Sequence, residues 1–262
     1  MPRGASALAR KVTYRGTLRL GPPRLLATRG SHSTVELAQT QPSAAPQFRL
    51  DAIRDELMRE HALATASLGL AATPYSDACA RWAWLDREMS SNVAGETGAV
   101  CIYDGAAFAL RLRGGANPAT LRFVEEHRAA ERSHLELFAE LLPEHKHTRL
   151  LPLWRVAGFG LGFLPTLISE RALFLTVEAV ETFVELHYHV QIDPLRAHGR
   201  CPQLVALLEH CCADEVHHKE DAAARAGGMG QSLAERTTML ERAWMALVQL
   251  GSTVAAEVAR RI

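Results

Sequence analysis

AERSHLELFAE (residues 130–140) and ADEVHHKED (residues 213–221) each contain a Glu-x-x-His, Glu131 with His134 and Glu215 with His218. On a helix, positions i and i+3 share a face, so each pair aims one carboxylate and one imidazole at the same point. A single pair of this spacing is ordinarily solvated. Two pairs on separate helices point to a shared site. A dinuclear metal site in a bundle core takes one such pair from each of two helices and one more Glu from each of two others. The chain offers both. Glu96 stands in VAGETGA (93–99) among small residues, upstream of Glu131. TVEAVETFVE (176–185) offers Glu178, Glu181 and Glu185, and of these Glu181 precedes Glu215 by nearly the interval that separates Glu96 from Glu131. Its neighbours Val177, Val180, Phe183 and Val184 predict a buried position, where a carboxylate needs a partner or a proton. Four carboxylates would neutralise two divalent metals, as a low-dielectric core requires. Oxygen and imidazole donors suit iron or manganese better than zinc.

Periodicity around these residues predicts helices throughout. The first covers 48–70, with Phe48, Ile53, Leu57 and Met58 on one face. The second, 76–113, ends at Gly114-Gly115. The third, 118–142, has Asn117 as N-cap and Pro118 at its first position. The fourth, 170–193, is capped by Ser169 and stopped by Pro194. The fifth runs from Pro202 to Gly227-Gly228. The last opens on the capping box Ser232-Leu-Ala-Glu235 and runs close to Ile262. No strand pattern is found, so the expected fold is all-α, a four-helix bundle core with an additional C-terminal helix. VAGFGLGFLPTLIS (156–169) is uncharged, and its glycines and Pro165 argue against a regular helix throughout. It is shorter than the roughly 20 residues that span a bilayer. It reads as a buried crossover, or as a segment lying in a membrane interface with Trp154 and Arg155 at the headgroups.

Composition narrows the remaining choices. The net charge is zero and the pI about 7.2, which argues against a nucleic-acid partner held by bulk positive charge. Cys79, Cys101, Cys201, Cys211 and Cys212 form no C-x-x-C and read as free thiols of a reducing compartment. Before the first acidic residue, Glu36, stand Arg3, Arg10, Lys11, Arg15, Arg19, Arg24 and Arg29 among Ser and Thr. That is the composition of a mitochondrial presequence. TQPSAAPQ (40–47) reads as linker. The expected organisation is a targeting region and linker at 1–47, a helical N-terminal extension at 48–75 and the catalytic bundle at 76–262.

VAGETGAVCIYDG (93–105), ERSHLELFAEL (131–141), LPLWRVAGFGLG (151–162), TVEAVETFVELHYHVQI (176–192), DEVHH (214–218) and the closing GSTVAAEVARRI together resemble the demethoxyubiquinone hydroxylases of coenzyme Q biosynthesis. The resemblance is collinear over about 76–262. It implies a ferritin-like di-iron fold with ligands at Glu96, Glu131, His134, Glu181, Glu215 and His218, in agreement with the spacing. It also implies a monooxygenase that places one atom of O2 on the quinone ring and releases the other as water, with two iron ions and an external, NADH-derived reductant. His187 and Tyr188, after Glu181, match a His-Tyr pair implicated in electron or proton delivery. Asp214 is read as an acceptor for a ligand histidine across the bundle, and Tyr103 lies on a face similar to that of Glu96. His127, Glu136, His210 and His217 are read as surface or outer groups.

The substrate, a ubiquinone-precursor lipid, would be reached through 150–169, including Leu151, Trp154, Phe159, Phe163 and Leu164, docked on the matrix face of the mitochondrial inner membrane as a peripheral, monotopic segment. The resemblance further implies a lipid-binding partner protein of the coenzyme Q assembly, and exposed apolar surface leaves room for a homo-oligomer. The chain departs from the family at Asn92-Val93, where Asp-His is usual, and at Thr97, where Tyr is usual. The competing expectations are another ferritin-like oxidase or ferroxidase, and a non-catalytic lipid-binding scaffold.

Overall fold

The computed structural model describes residues 48–71, 77–227 and 231–261, and the expected presequence and linker lie outside them. Among the described residues every regular element is helical: α1 (Leu50–Ala71), α2 (Asp77–Arg113), α3 (Pro118–Leu141), a single 3-10 turn (Glu144–Lys146), α4 (Leu151–Ile168), α5 (Glu170–Ala197), α6 (Pro202–Arg225), α7 (Leu233–Arg236) and α8 (Met239–Ala259). The all-α expectation is met. Asn117 caps α3 by accepting from Ala119 N at 2.9 Å, and Ser169 caps α5 by accepting from Ala172 N at 3.0 Å. α2 pairs with α3, and α5 with α6. Ile53 and Leu57 of α1 join the core at one end, among Phe138, Tyr188 and Leu204. Cys101, Cys201, Cys211 and Cys212 are free.

Three details differ from the sequence expectation. α5 continues through Pro194 for one more turn. Pro194 gives up its own N–H bond and crowds the preceding turn, but the turn after it still forms, with His198 N reaching the Pro194 carbonyl at 3.2 Å. The Ser232–Glu235 box opens only the one-turn α7. A second box follows at Thr238, whose N–H donates to Glu241 Oε2 at 2.7 Å, and it is this box that starts α8. The third difference is larger: 151–168 is one continuous helix despite its glycines.

Those glycines are spacers. A Cβ at Gly158 would stand 2.3 Å from the Gly98 carbonyl oxygen, and one at Gly162 would stand 1.8 Å from that of Ile102. From the other side, a Cβ at Gly105 would meet the Phe159 carbonyl oxygen at 2.1 Å. α4 and α2 therefore touch backbone to backbone, and this contact offsets the helix propensity that glycine lacks. At the far end Arg113 Nη1 donates to the Thr166 carbonyl at 2.9 Å. α4 has 18 residues of mean hydropathy 1.4, long and apolar enough to cross a membrane by length and composition. It is nonetheless tied along α2. Gly162→Ala is expected to destabilise the protein by about 3 kcal/mol, because backbone cannot yield to the new methyl. That corresponds to a drop in Tm of roughly 6–12 °C. Gly160→Ala, whose Cβ would meet nothing within 4 Å, is expected to leave Tm unchanged or raise it. Calorimetry of the two variants checks both.

Candidate metal centre

The four long helices each bring their carboxylate to one level of the core. Glu96 comes from α2, Glu131 and His134 from α3, Glu181 from α5, and Glu215 and His218 from α6. None of the six is more than 4% exposed. Their donor atoms form two groups, Glu96–Glu131–His134–Glu215 and Glu131–Glu181–Glu215–His218, with all atoms of a group within 4.8 Å of one another. Glu131 and Glu215 belong to both. Each histidine crosses to the other helix: His134 Nδ1 lies 3.1 Å from Glu215 Oε1, and His218 Nδ1 lies 3.1 Å from Glu131 Oε1. Of the three carboxylates on α5, only Glu181 faces this point. Glu178 accepts from Arg236 Nη1 at 2.9 Å, and Glu185 pairs with Lys219.

The donor set could hold cations. Buried Glu131 Oε1 has no well-aligned hydrogen bond, only the ion pair with His218 Nδ1 at 3.1 Å, a nitrogen that also lies 3.2 Å from Glu215 Oε2. Burial, reinforced by Glu131 beside one and Glu215 beside the other, pushes the Glu96 and Glu181 carboxyls well above the usual range. Burial also opposes charge on Glu215, but bonds from His134 and His218 overcome it and hold the carboxyl at about 2. Against the same burial, Glu131 and Glu215 raise His218 to about 10, and Asp214 and Glu215 raise His134 further. The metal-free chain thus fills the site with protons. Oxygen- and imidazole-binding divalent metals fit the donor set and must displace those protons. Metal addition near neutral pH is expected to release about two to four protons per chain, and affinity is expected to fall as pH falls. Titration in weak buffer with a pH indicator measures this.

Around the ligands, Asp214 Oδ2 lies 3.1 Å from His134 Nε2, the nitrogen turned away from the site. Asp214→Asn is expected to weaken metal binding about 10- to 100-fold, measured by competition with a chelator. Tyr188 donates to Glu96 Oε1 at 2.7 Å. The Tyr103 hydroxyl makes no hydrogen bond to any of the six. It is 3.4 Å from His127 Nδ1. His127 itself is buried and stacks on His218 with centroids 4.2 Å apart, while its Nε2 lies 3.4 Å from Asp221 Oδ2. Only its spacing from Glu131, one turn earlier on the same face, hinted at this. Glu136 and His217 are exposed and His210 is half-buried. His187 stands off the ligands, in a network with Ser91, Asn92 and Arg260. Thr97 Oγ1 donates within its own helix to the Val93 carbonyl at 2.7 Å.

A cavity of about 590 Å3 opens onto Glu96, Glu131, Glu181 and Glu215. Most of its remaining wall is apolar, with Trp154 and Leu161 from α4, Val184 from α5, and Trp244 and Leu247 from α8, while Ser91, Asn92, His187 and Tyr188 add a polar side. Of the five residues singled out in 151–164, Trp154 lines the cavity. Phe159 and Phe163 instead group with Phe108, Leu164 is exposed, and Leu151 packs against the core. The contribution of α8 was not anticipated. Leu240, Leu247, Leu250 and Val254 are exposed there, as Leu153, Val156 and Ile168 are on α4.

A helical bundle whose four central helices bring four buried carboxylates and two histidines together has the fold of a ferritin-like protein and a donor set that could hold metal. The family model described as "Ubiquinone biosynthesis protein COQ7" matches residues 83–259, and the chain belongs to that family. It is 36% identical over 140 residues to the 3-demethoxyubiquinol 3-hydroxylase of Rhodospirillum rubrum, covering 53% of this chain and 63% of that one. It is 32% identical over 137 residues to the mitochondrial NADPH-dependent 3-demethoxyubiquinone 3-hydroxylase of Dictyostelium discoideum, covering 51% and 61%. With the protein of the same name from Rattus norvegicus the identity is 28% over 181 residues, covering 68% and 77%. The chain thus aligns with less than two-thirds of the length of the first two relatives.

Proposed function

We propose that this protein is a di-iron monooxygenase that hydroxylates the ring of demethoxyubiquinone, or its quinol, in ubiquinone biosynthesis. The observation that carries the reading is the apolar cavity ending on the carboxylates. A ferroxidase has no use for a largely apolar space of that volume, whereas a lipid quinone needs one. The names of the relatives support the same reaction.

Iron, when bound, supplies the reduction of O2. The chain's own residues hold and orient. Glu131 and Glu215 would be shared between the two positions, with Glu96 and His134 completing one, and Glu181 and His218 the other. Asp214 keeps His134 turned so that Nδ1 faces the site. Tyr188, bonded to Glu96, holds a proton beside the site. Trp154, Leu161 and Trp244 exclude water from the reacting ring. Electrons come from an external, nicotinamide-derived donor.

The exposed apolar faces of α4 and α8 flank the cavity-lining residues on the same two helices. They support a peripheral seat on the membrane through which the lipid enters. Two relatives carry the word mitochondrial in their names, and the basic, acid-free first 35 residues agree with it. We place the protein on the matrix face of the inner membrane, where the same apolar surface would also accept a lipid-binding partner or a second copy.

The test is turnover. The full chain is loaded with ferrous iron and given reductant, O2 and a short-tailed demethoxyquinone. The product is expected to be heavier by one oxygen atom and absent with Glu181→Ala. Oxygen consumption with unchanged quinone would instead identify an iron oxidase, and loaded iron with neither would identify a scaffold.

A further inference from the structure

A second buried polar assembly lies between α2, α5 and the end of α8, beside the metal ligands but not among them. Glu88 is 3% exposed, and its two carboxylate oxygens accept from Arg260 Nε at 2.9 and 3.0 Å. Arg260 Nη2 lies 3.0 Å from His187 Nδ1. A guanidinium has only hydrogens to offer. His187 Nδ1 must therefore be the lone-pair nitrogen, and the ring proton sits on Nε2. That nitrogen is 3.0 Å from Ser91 Oγ and 3.1 Å from Asn92 Oδ1.

Asn92 is held by Gln191: its Nδ2 donates to Gln191 Oε1 at 2.9 Å, its Oδ1 accepts from Gln191 Nε2 at 2.8 Å, and Gln191 Nε2 also donates to the His187 carbonyl at 3.3 Å, which sets both amides. Both neighbours thus present oxygens to the Nε2–H. A protonated Nε2 accepts nothing, so the Ser91 hydroxyl hydrogen finds no acceptor on His187. Ser91, Asn92 and His187 all line the cavity. The assembly is a chain of donors running in one direction, from Arg260 through His187 to Ser91, and its last hydrogen, not needed by His187, sits on a residue that lines the cavity.

We propose that Arg260 is a positioning residue: it fixes His187 as the neutral Nε2–H tautomer, and Ser91 thereby becomes a hydrogen-bond donor for a ring carbonyl oxygen bound in the cavity. The ligand half of this inference rests on the quinone reading above, and the tautomer half does not. Burial and the Arg260 charge also press the imidazole down to about 3, in line with a ring that stays neutral. The charged groups around it are Arg260 and Glu257 from α8 and Glu88 from α2. On its own helix the nearby polar groups are the neutral Tyr188 and Gln191. None of these is in the set of six ligands. A donor-terminated wall selects an acceptor, so it favours a quinone over an alkylbenzene of the same shape.

The experiment uses the full metal-free chain with 15N-labelled histidine. Long-range 15N–1H correlation spectra report which ring nitrogen carries hydrogen. His187 is expected to show a pyridine-type Nδ1 and a protonated Nε2, unchanged from about pH 8 to about pH 5.5, well above its depressed range. In Arg260→Met the tautomers should mix and the ring should titrate, and Arg260→Lys should restore part of the lock. Quenching of tryptophan fluorescence (Trp154 and Trp244 face the cavity) by a short-tailed demethoxybenzoquinone gives Kd. Ser91→Ala should raise Kd about tenfold, the worth of one hydrogen bond, without changing which His187 nitrogen carries the hydrogen, since Asn92 Oδ1 still accepts from Nε2. Arg260→Met should raise Kd several-fold. A protonated Nδ1 in the wild type, or a spectrum that Arg260→Met leaves unchanged, overturns the tautomer lock. Wild-type quinone affinity in Ser91→Ala overturns the donor role. A wild type that binds no quinone but shows the locked tautomer overturns the ligand half and the quinone reading together, and leaves the lock standing.

Discussion

Glu215→Ala is expected to empty both metal positions at once. Glu215 is one of the two carboxylates common to both donor groups. Its oxygens lie 3.1 Å from His134 Nδ1 and 3.2 Å from His218 Nδ1, so it stands between the two positions. Removing it leaves each group one donor short and deprives both histidines of the partner that orients them. Glu181→Ala removes a donor from one group only. Metal analysis after loading and gel filtration should therefore find two metals per wild-type chain, close to one in Glu181→Ala, and near none in Glu215→Ala. Activity of Glu215→Ala should fall more than about 100-fold, since outer partners of a metal site alone are worth up to that much. Two metals retained by Glu215→Ala would remove the shared-carboxylate arrangement.

The second large effect is on stability, and its sign depends on whether metal is present. In the metal-free fold Glu96 and Glu181 keep protons well above 4.5, where the unfolded chain releases them. Above that pH the folded state holds the extra protons, so stability falls as pH rises. His218, raised from 6.5 to about 10, acts in the same direction: its contribution is complete below 6.5 and is lost as pH rises toward 10. His134 is raised as well and adds to this. Glu215, lowered from 4.5 to about 2, acts oppositely, and its contribution is lost as pH falls through that window. His127 and His187, lowered from 6.5 to about 3, cost stability as pH falls below 6.5 and offset the two glutamates between 4.5 and 6.5. The metal-free chain should therefore be most stable at about pH 4.5–6.5 and should melt progressively lower toward pH 9. Loaded protein has exchanged those protons for metal, so the gap in Tm between the two forms should widen as pH rises. Glu181→Gln keeps the shape and removes one charge. It should raise the metal-free Tm at about pH 8 by roughly 2–6 °C while weakening metal binding, the usual opposition of stability and function at a site. Melting curves with and without chelator decide this. A metal-free Tm that rises from pH 6 to pH 9 would contradict the protonation pattern.

The centre was legible because helix periodicity does most of the work. Once Glu131 and His134, or Glu215 and His218, lie on a helix, three residues of spacing puts them on one face. The matched intervals back to Glu96 and Glu181 reflect two hairpins of similar length. Local rules failed where tertiary contacts outweighed them. Gly158, Gly162 and Pro165 read as helix breakers, yet α4 is continuous because those glycines let it touch the α2 backbone. Ser232 and Thr238 both begin capping boxes, and nothing local tells which starts the long helix. The exposed apolar face of α8 went unread, because the reading of that segment rests only on a capping box and its extent. The Arg260–Glu88 pair joins residues 172 positions apart, beyond the reach of any spacing argument.

The central claim is that this site places oxygen on a quinone ring, and one measurement addresses it directly. Ferrous-loaded protein is mixed with a short-tailed demethoxyquinone and reductant under labelled O2 in ordinary water, and the quinone is followed by mass spectrometry. A single labelled oxygen in the ring, lost in Glu215→Ala, is the expected result. A product whose new oxygen comes from water, or quinone left unchanged while O2 is consumed, would contradict the account.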